Sequence, residues 1–232
     1  MHPDRSPPET APDPWAEPAG PLSEHTETHT DPARFICAHK ADQPGPTLVA
    51  IGGIHGNEPA GISAAERMDR ALLGSPDLAR GAFFALRGNL AALAVNPADP
   101  ASNPRYLKAD LNRLFKPDNG VRTPDHNQRD AIRAELDRIA AESRGPVYLI
   151  DLHTTSSDSP PFIALEDSLP ARHFAEHFAL PLILGIEEDL KGLLMDEATA
   201  RLGCVALTIE GGRHDDPAAV DGVEPGLRAR VD

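Results

Sequence analysis

Five short apolar runs, each breaking off at a glycine, a charge or a polar residue, alternate along this chain with longer segments of helical spacing. That alternation is what most constrains the fold. The runs are Thr47 to Gly52, Ala82 to Arg87, Val147 to Leu152, Phe162 to Leu165 and Val205 to Glu210. Between the first two, Ile62, Ala65, Met68 and Leu72 fall on one helical face, and Pro59 stands where a first-turn proline is tolerated. A second helix is capped by Thr123, opened by Pro124, lined by Ile132, Leu136 and Ile139, and closed by Gly145. Further helices are expected near residues 170 to 179 and 195 to 202, while the proline-bearing stretch from Ala91 to Arg105 reads as a loop. The pattern predicts βα units around a largely parallel sheet, beginning near Phe35, with no internal repeat.

A chain of 232 residues has room for one sizeable α/β domain or two small ones. Aromatic residues make up only 4%, so the core must rest on Leu, Ile, Val and Ala. Residues 1 to 32 are rich in Pro, Asp, Glu and Thr and read as a flexible acidic tail, in which His25 and His29 are solvated rather than metal-binding. Residues 33 to 232 form the folded domain. The net charge of -14 repels phosphate backbones and anionic membranes, which argues against nucleic-acid or membrane partners. Neither a secretory signal nor a membrane-spanning run is present, so a cytoplasmic protein is expected. Cys37 and Cys204 form no CxxC or Cys/His zinc pattern and read as small apolar core residues.

The first run ends in "GGIHGNEPAG", which delivers His55 and Glu58 into the loop at the carboxyl end of a strand, where open α/β sheets build their sites. Glycine on both sides lets the backbone turn sharply. An imidazole nitrogen and a carboxylate oxygen three residues apart are a plausible pair of zinc ligands, each at about 2.0 to 2.2 Å. HxxE alone is more often a helix-capping glutamate beside a hydrogen-bonded histidine. The run "VYLIDLHTTSS" repeats the layout and brings His153 to another strand end. His55, Glu58 and His153 then make a His2Glu set that leaves a fourth position for water, as catalytic zinc requires.

Such a site needs a base, and "CVALTIEGGRHDD" offers Glu210 at the end of an apolar strand, able to take the water's proton and return it to a leaving amine. "NPRYLKADLNRLF" offers Arg105, Asn112 and Arg113 in a loop, where one guanidinium can bind a substrate carboxylate and another can face a developing oxyanion. Adjacent Asn112 and Arg113 point to opposite faces of a regular strand, so they share a pocket only where the backbone departs from one.

These four motifs, in this order and at these separations, resemble the succinylglutamate desuccinylase/aspartoacylase family, a branch of the zinc carboxypeptidase superfamily (M14-like), over roughly residues 47 to 215. The resemblance implies a twisted mixed, largely parallel sheet flanked by helices. It implies one zinc ion per chain on His55, Glu58 and His153, with Asp110 hydrogen-bonding the far nitrogen of His55. Arg105 then polarises the scissile carbonyl, Asn112 and Arg113 hold the substrate's α-carboxylate, and Glu210 is general base and acid. The implied activity is hydrolysis of an amide in an N-acyl amino acid, or a similar small carboxylate-bearing substrate, by attack of metal-bound water. An anionic substrate also explains arginines converging inside so acidic a protein.

Two departures from the family stand out. The stretch "NLAALAVNPADPASNPR" from Asn89 to Arg105 is long, and only about 20 residues follow Glu210, too few for the family's C-terminal β-rich domain, which is expected to be missing. Alternatives are therefore a zinc carboxypeptidase acting on peptides, a truncated and inactive zinc-binding homologue, and a metal-free carboxylate-binding module.

Overall fold

The computed structural model describes residues 31–73, 78–185 and 190–227. Most of the expected acidic tail, with His25 and His29, lies outside the described residues. Seven strands form one mixed sheet: β1 (Phe35–Lys40), β2 (Thr47–Gly52), β3 (Ala82–Arg87), β4 (Val147–Thr155), β5 (Phe162–Leu165), β6 (Leu182–Leu184) and β7 (Val205–Arg213). Their order across the sheet is β1-β3-β2-β4-β7-β5-β6. β1 runs antiparallel to β3 and β5 antiparallel to β7, and every other neighbouring pair is parallel.

The helices are α1 (Ala60–Leu72), the one-turn α2 (Leu90–Leu93), α3 (Pro124–Glu142), α4 (Leu169–Ala175), α5 (Leu194–Leu202) and α6 (Ala219–Leu227). They cover both faces of the sheet. On one face Leu48 and Ala50 of β2 pack with Ala64 and Ala65 of α1, Phe174 of α4 and Val223 of α6. On the other, Val49 and Ile51 pack with Ile132 and Leu136 of α3 and Met195 and Ala198 of α5. The period-2 alternation of a strand thus splits four consecutive apolar residues between two cores, which is why β2 is buried throughout.

This layering decides where a site can form. From β2 the chain crosses through α1 on one face to β3, and from β3 it returns through α3 on the other face to β4, which lies on the far side of β2. Strand order therefore reverses at β2, and the carboxyl ends of β2 and β4 flank the crevice that such a reversal opens.

Several sequence expectations shift. β4 runs on to Thr155, and β7 passes through Gly211 and Gly212 to Arg213, so His153 and Glu210 lie inside their strands rather than at the ends. Pairing between the two extended ends supplies the extra hydrogen bonds. Gly145 does not close α3, which ends at Glu142 with extended Ser143 as its cap. Gly145 is needed for close approach instead: a Cβ there would stand 2.4 Å from the carbonyl oxygen of Gly45. Thr123 does cap α3, its backbone N–H donating to Nδ1 of His126 at 3.1 Å. Pro59 precedes the first turn of α1 rather than lying in it. The stretch read as a loop from Ala91 contains most of α2 and a 3-10 turn at Pro100–Ser102. The edge strands β1 and β6 and helix α6 had no clear sequence signal. Both cysteines are buried and unpaired. Among the described residues no helix is long and apolar enough to cross a membrane.

Candidate metal centre

β2 ends at Gly52, and Gly53 at φ +75° starts the turn that carries His55 and Glu58 back over the sheet. The turn is pressed against the next loop. Gly56 N donates to the Arg105 carbonyl at 3.0 Å, and a Cβ on Gly56 would come within 2.5 Å of the Pro104 oxygen. His55 and Glu58 are 2% and 1% exposed, burial that only paired ionisable groups sustain.

Glu58 bridges the two histidines. Its Oε1 lies 2.8 Å from His55 Nδ1, and its Oε2 lies 3.0 Å from His153 Nδ1 while accepting from Thr154 N at 2.9 Å. The outward nitrogen of each ring meets another carboxylate: His55 Nε2 stands 3.0 Å from Asp110 Oδ1, and His153 Nε2 stands 2.8 Å from Asp151 Oδ2. One donor atom from each of His55, Glu58 and His153 falls within 4.8 Å of the others. Arg105 borders the cluster, donating to Glu58 Oε1 at 2.9 Å with its Nε 3.5 Å from Asp110 Oδ2.

The charge balance suits a cation. Burial works against the charge on Glu58, yet His153 and His55 hold its carboxyl well below the usual range. Asp110 is drawn down to about 2, because its hydrogen bond to His55 and the nearby Arg105 and Arg113 outweigh its burial. Burial opposes a proton on His153, but Asp151 and Glu58 raise it well above its ordinary value. Glu210 moves the other way: burial raises its carboxyl, with Glu58 and Asp151 adding to the effect and His153 and His55 opposing it. Asp151 Oδ1, Thr154 Oγ1 and Glu210 Oε2 are buried without hydrogen-bond partners at this end of the sheet. Two Nδ1 atoms and a carboxylate converging, with both far nitrogens anchored on aspartates, are what a divalent metal needs.

The loop from Arg105 to Arg113 departs from strand geometry, as a shared pocket requires: Leu111–Arg113 is a 3-10 turn capped by Asp110, whose Oδ1 accepts from Asn112 N at 3.0 Å. The two neighbours still diverge. Asn112 turns inward, its Oδ1 accepting from Leu194 N at 2.8 Å and its Nδ2 lying 3.3 Å from Asp151 Oδ2 and 3.2 Å from His153 Nε2. Serving a substrate carboxylate requires that amide to leave His153 and Leu194. Arg113 stays partly exposed, with Nη1 donating to the Asn112 carbonyl at 2.6 Å, and lines a cavity of about 380 Å³ together with Lys108, Asp110 and Lys116. The structure therefore gathers His55, Glu58, His153, Asp110, Arg105 and Glu210 at one end of the sheet, sets Asn112 behind His153, and leaves Arg113 in the adjoining cavity.

Two supporting residues escaped the sequence reading. Asp151 shares a strand face with His153 two residues on, so strand periodicity applied to "DLH" could have found it. Asp125, fully buried at the start of α3, accepts from the backbone of Leu107, Lys108 and Ala109 and from Asn89 Nδ2, and so holds the loop that carries Arg105 and Asp110. No local pattern announces it.

Residues 44–220 match the model of the succinylglutamate desuccinylase/aspartoacylase catalytic domain. The chain belongs to this family. The succinylglutamate desuccinylase of Burkholderia thailandensis is 34% identical over 116 residues, covering 47% of this chain and 30% of that protein. Among solved structures, the succinylglutamate desuccinylase/aspartoacylase from Rhodobacter sphaeroides superposes with a TM-score of 0.62 at 23% identity, covering 82% of this chain and 55% of that one. A metallo-carboxypeptidase from Burkholderia cenocepacia gives 0.58 at 17% identity, covering 82% and 58%. At these identities the superpositions establish the metallo-carboxypeptidase-like fold. The chain spans well under half the length of the curated relatives it matches.

Proposed function

We propose that this succinylglutamate desuccinylase/aspartoacylase family member is a zinc-dependent deacylase that hydrolyses the amide of a small N-acyl amino acid. The observation that carries the reading is the Glu58 carboxylate set between the inward Nδ1 atoms of His55 and His153, with Glu210 paired in register beside His153. His55, Glu58 and His153 would hold the ion. When bound, zinc lowers the pKa of a coordinated water towards about 7 and polarises a carbonyl.

The chain's own groups supply the rest. Asp110 and Asp151 keep Nε2 of each histidine occupied, so that both rings offer Nδ1 inward. Glu210, whose carboxyl burial raises above its ordinary value, takes a proton from the attacking water and delivers it to the leaving amine. Arg105, 42% exposed at the rim, turns its guanidinium to the oxygen that gains charge as the carbonyl carbon becomes tetrahedral.

An anionic substrate is supported by the adjoining cavity. Lys108, Arg113 and Lys116 line it beside Asp110 and Asp118, and none of the three forms a close ion pair among the described residues, although most cations of this acidic chain do and Arg113 acts on Asp110 from farther off. Three cations outside close ion pairs favour a bound carboxylate, and Arg113 can take one on two prongs.

The test is a screen of N-acyl amino acids with metal-stripped protein before and after adding zinc. Zinc-dependent release of a free amino acid is expected. Turnover of C-terminal peptides in preference to N-acyl amino acids would assign the site to a carboxypeptidase, and binding without zinc to a carboxylate-binding module.

A further inference from the structure

A second set of metal-ligating side chains lies at the β1 edge of the sheet, two strands removed from β2. Cys37 and His39 are two residues apart on β1, so they leave the strand on one face, and α1 covers that face. Asp69, near the end of α1, completes the set: one donor atom from each of the three residues lies within 4.8 Å of the others. His39 Nε2 and Asp69 Oδ1 are already 2.8 Å apart. Cys37 is seated among Ala65, Leu72, Phe83 and Ala85, while His39 and Asp69 keep 20% and 28% of their side chains exposed. The cluster is closed on the protein side and open to solvent on the other.

We propose that Cys37, His39 and Asp69 form a second metal site, separate from the His55, Glu58 and His153 set, that takes a thiophilic divalent ion of the zinc type. A thiol, an imidazole and a carboxylate favour zinc over magnesium or calcium, which take oxygen-only shells. On tetrahedral zinc, nitrogen and oxygen ligands stand roughly 3.3 Å apart, so the His39–Asp69 pair needs to part by only about 0.5 Å. Binding exchanges the S–H bond for a metal–sulfur bond and the His39 Nε2–H···Asp69 hydrogen bond for two metal bonds; the thiol proton goes to solvent, the Nε2 proton of the neutral ring shifts to Nδ1, and no electrons move.

Three protein donors with water in the fourth position make the site looser than a four-ligand structural zinc and therefore open to loading and stripping. Nucleophilic use of the thiol fits the surroundings less well, because burial and the Asp69 carboxylate push Cys37 up to about 12. A metal here would tie the sheet's edge strand to α1, the helix that follows Glu58 directly.

Cobalt(II) titration of the metal-stripped full chain tests this, since only a sulfur ligand produces a near-ultraviolet thiolate-to-cobalt band and the His55 set contains no sulfur. Two equivalents and a thiolate band are expected. Cys37→Ser and His39→Gln should each bind one equivalent and lack the band, with unchanged N-acyl amino acid hydrolysis. The band should persist in Cys204→Ser and in a Glu58→Gln/His153→Ala variant, so the outcome stands apart from the deacylase reading. A single equivalent without a thiolate band in the unaltered chain, or a band that survives Cys37→Ser, would overturn the proposal.

Discussion

His153 and Glu210 are register partners on the adjacent parallel strands β4 and β7, which sets the proposed base one strand spacing, about 4.8 Å between backbones, from a proposed metal ligand. Phe162 of β5 flanks Glu210 on its other side. The Glu210 backbone is thus flanked by strands on both sides, and one of its carboxylate oxygens has lost solvent without gaining a partner.

On the proposed mechanism, Glu210→Gln should bind zinc normally and lose about 10² to 10⁴ in kcat, the usual worth of a positioned proton-transfer group. Metal content and steady-state kinetics check both halves. Stability should move in the opposite sense. Burial raises the folded-state carboxyl above 4.5, so the folded chain holds that proton more tightly than the unfolded one, and stability is lost as pH climbs from the unfolded value through the folded one. The amide does not titrate. The metal-free variant should therefore gain on the parent as pH rises above about 4, read from thermal unfolding at each pH.

Asp125→Ala should unfold at markedly lower denaturant. Three backbone N–H groups and Asn89 lose their acceptor in a fully buried place, a loss of about 2 to 4 kcal/mol. Those same hydrogen bonds hold the carboxyl below its ordinary value despite burial, so the parent should lose this stabilisation only as pH falls below about 4. Because the freed loop carries Arg105 and Asp110, activity should drop more than zinc content does.

Arg113→Lys should raise KM for a carboxylate-bearing substrate by about tenfold and leave zinc content unchanged, since lysine cannot reproduce a two-pronged contact. An unaltered KM removes Arg113 from substrate binding. Lys108→Met is the companion measurement, since it deletes another positive charge of the same cavity without touching a proposed metal ligand.

Gly61→Ala should destabilise the chain by about 1 to 3 kcal/mol. A Cβ at Gly61 would sit 2.6 Å from Leu152 Cβ, so α1 must rise off β4. Glu58 lies just ahead of that helix, so zinc affinity should fall together with the unfolding midpoint. A variant that loses stability and keeps full zinc affinity would show that the His55–Glu58 turn is positioned independently of α1.

Much of the candidate site could be read directly from residue order. The motifs around His55, Glu58, His153 and Glu210 stand at the ends of apolar runs, and the interior runs β2, β3, β4, β5 and β7 are buried strongly enough for apolar content to reveal them. The edge strands were harder. β6 is three residues long and its leucines and isoleucine are 39% to 43% exposed, so burial leaves no periodic mark on it. The ends of β4 and β7 were misread for another reason: polar and glycine residues there join the sheet because each strand offers the other a hydrogen-bonding partner, which no local propensity records.

By itself the sequence determined the kinds of donor available, their order, and their attachment to strand ends, because those depend on residue identity and on periodicities of two and 3.6. Only the tertiary structure decided that both histidines turn Nδ1 inward with an aspartate behind each, that Asn112 faces His153 while its neighbour Arg113 opens into a cavity, and that Cys37 and His39 meet Asp69. Those relationships join residues up to about 100 positions apart, and they follow from a strand order that reverses at β2 and from glycines that let helix and loop backbones approach the sheet. Sequence spacing carries no information about such approaches, because it is packing of the whole sheet that brings the groups within hydrogen-bonding distance.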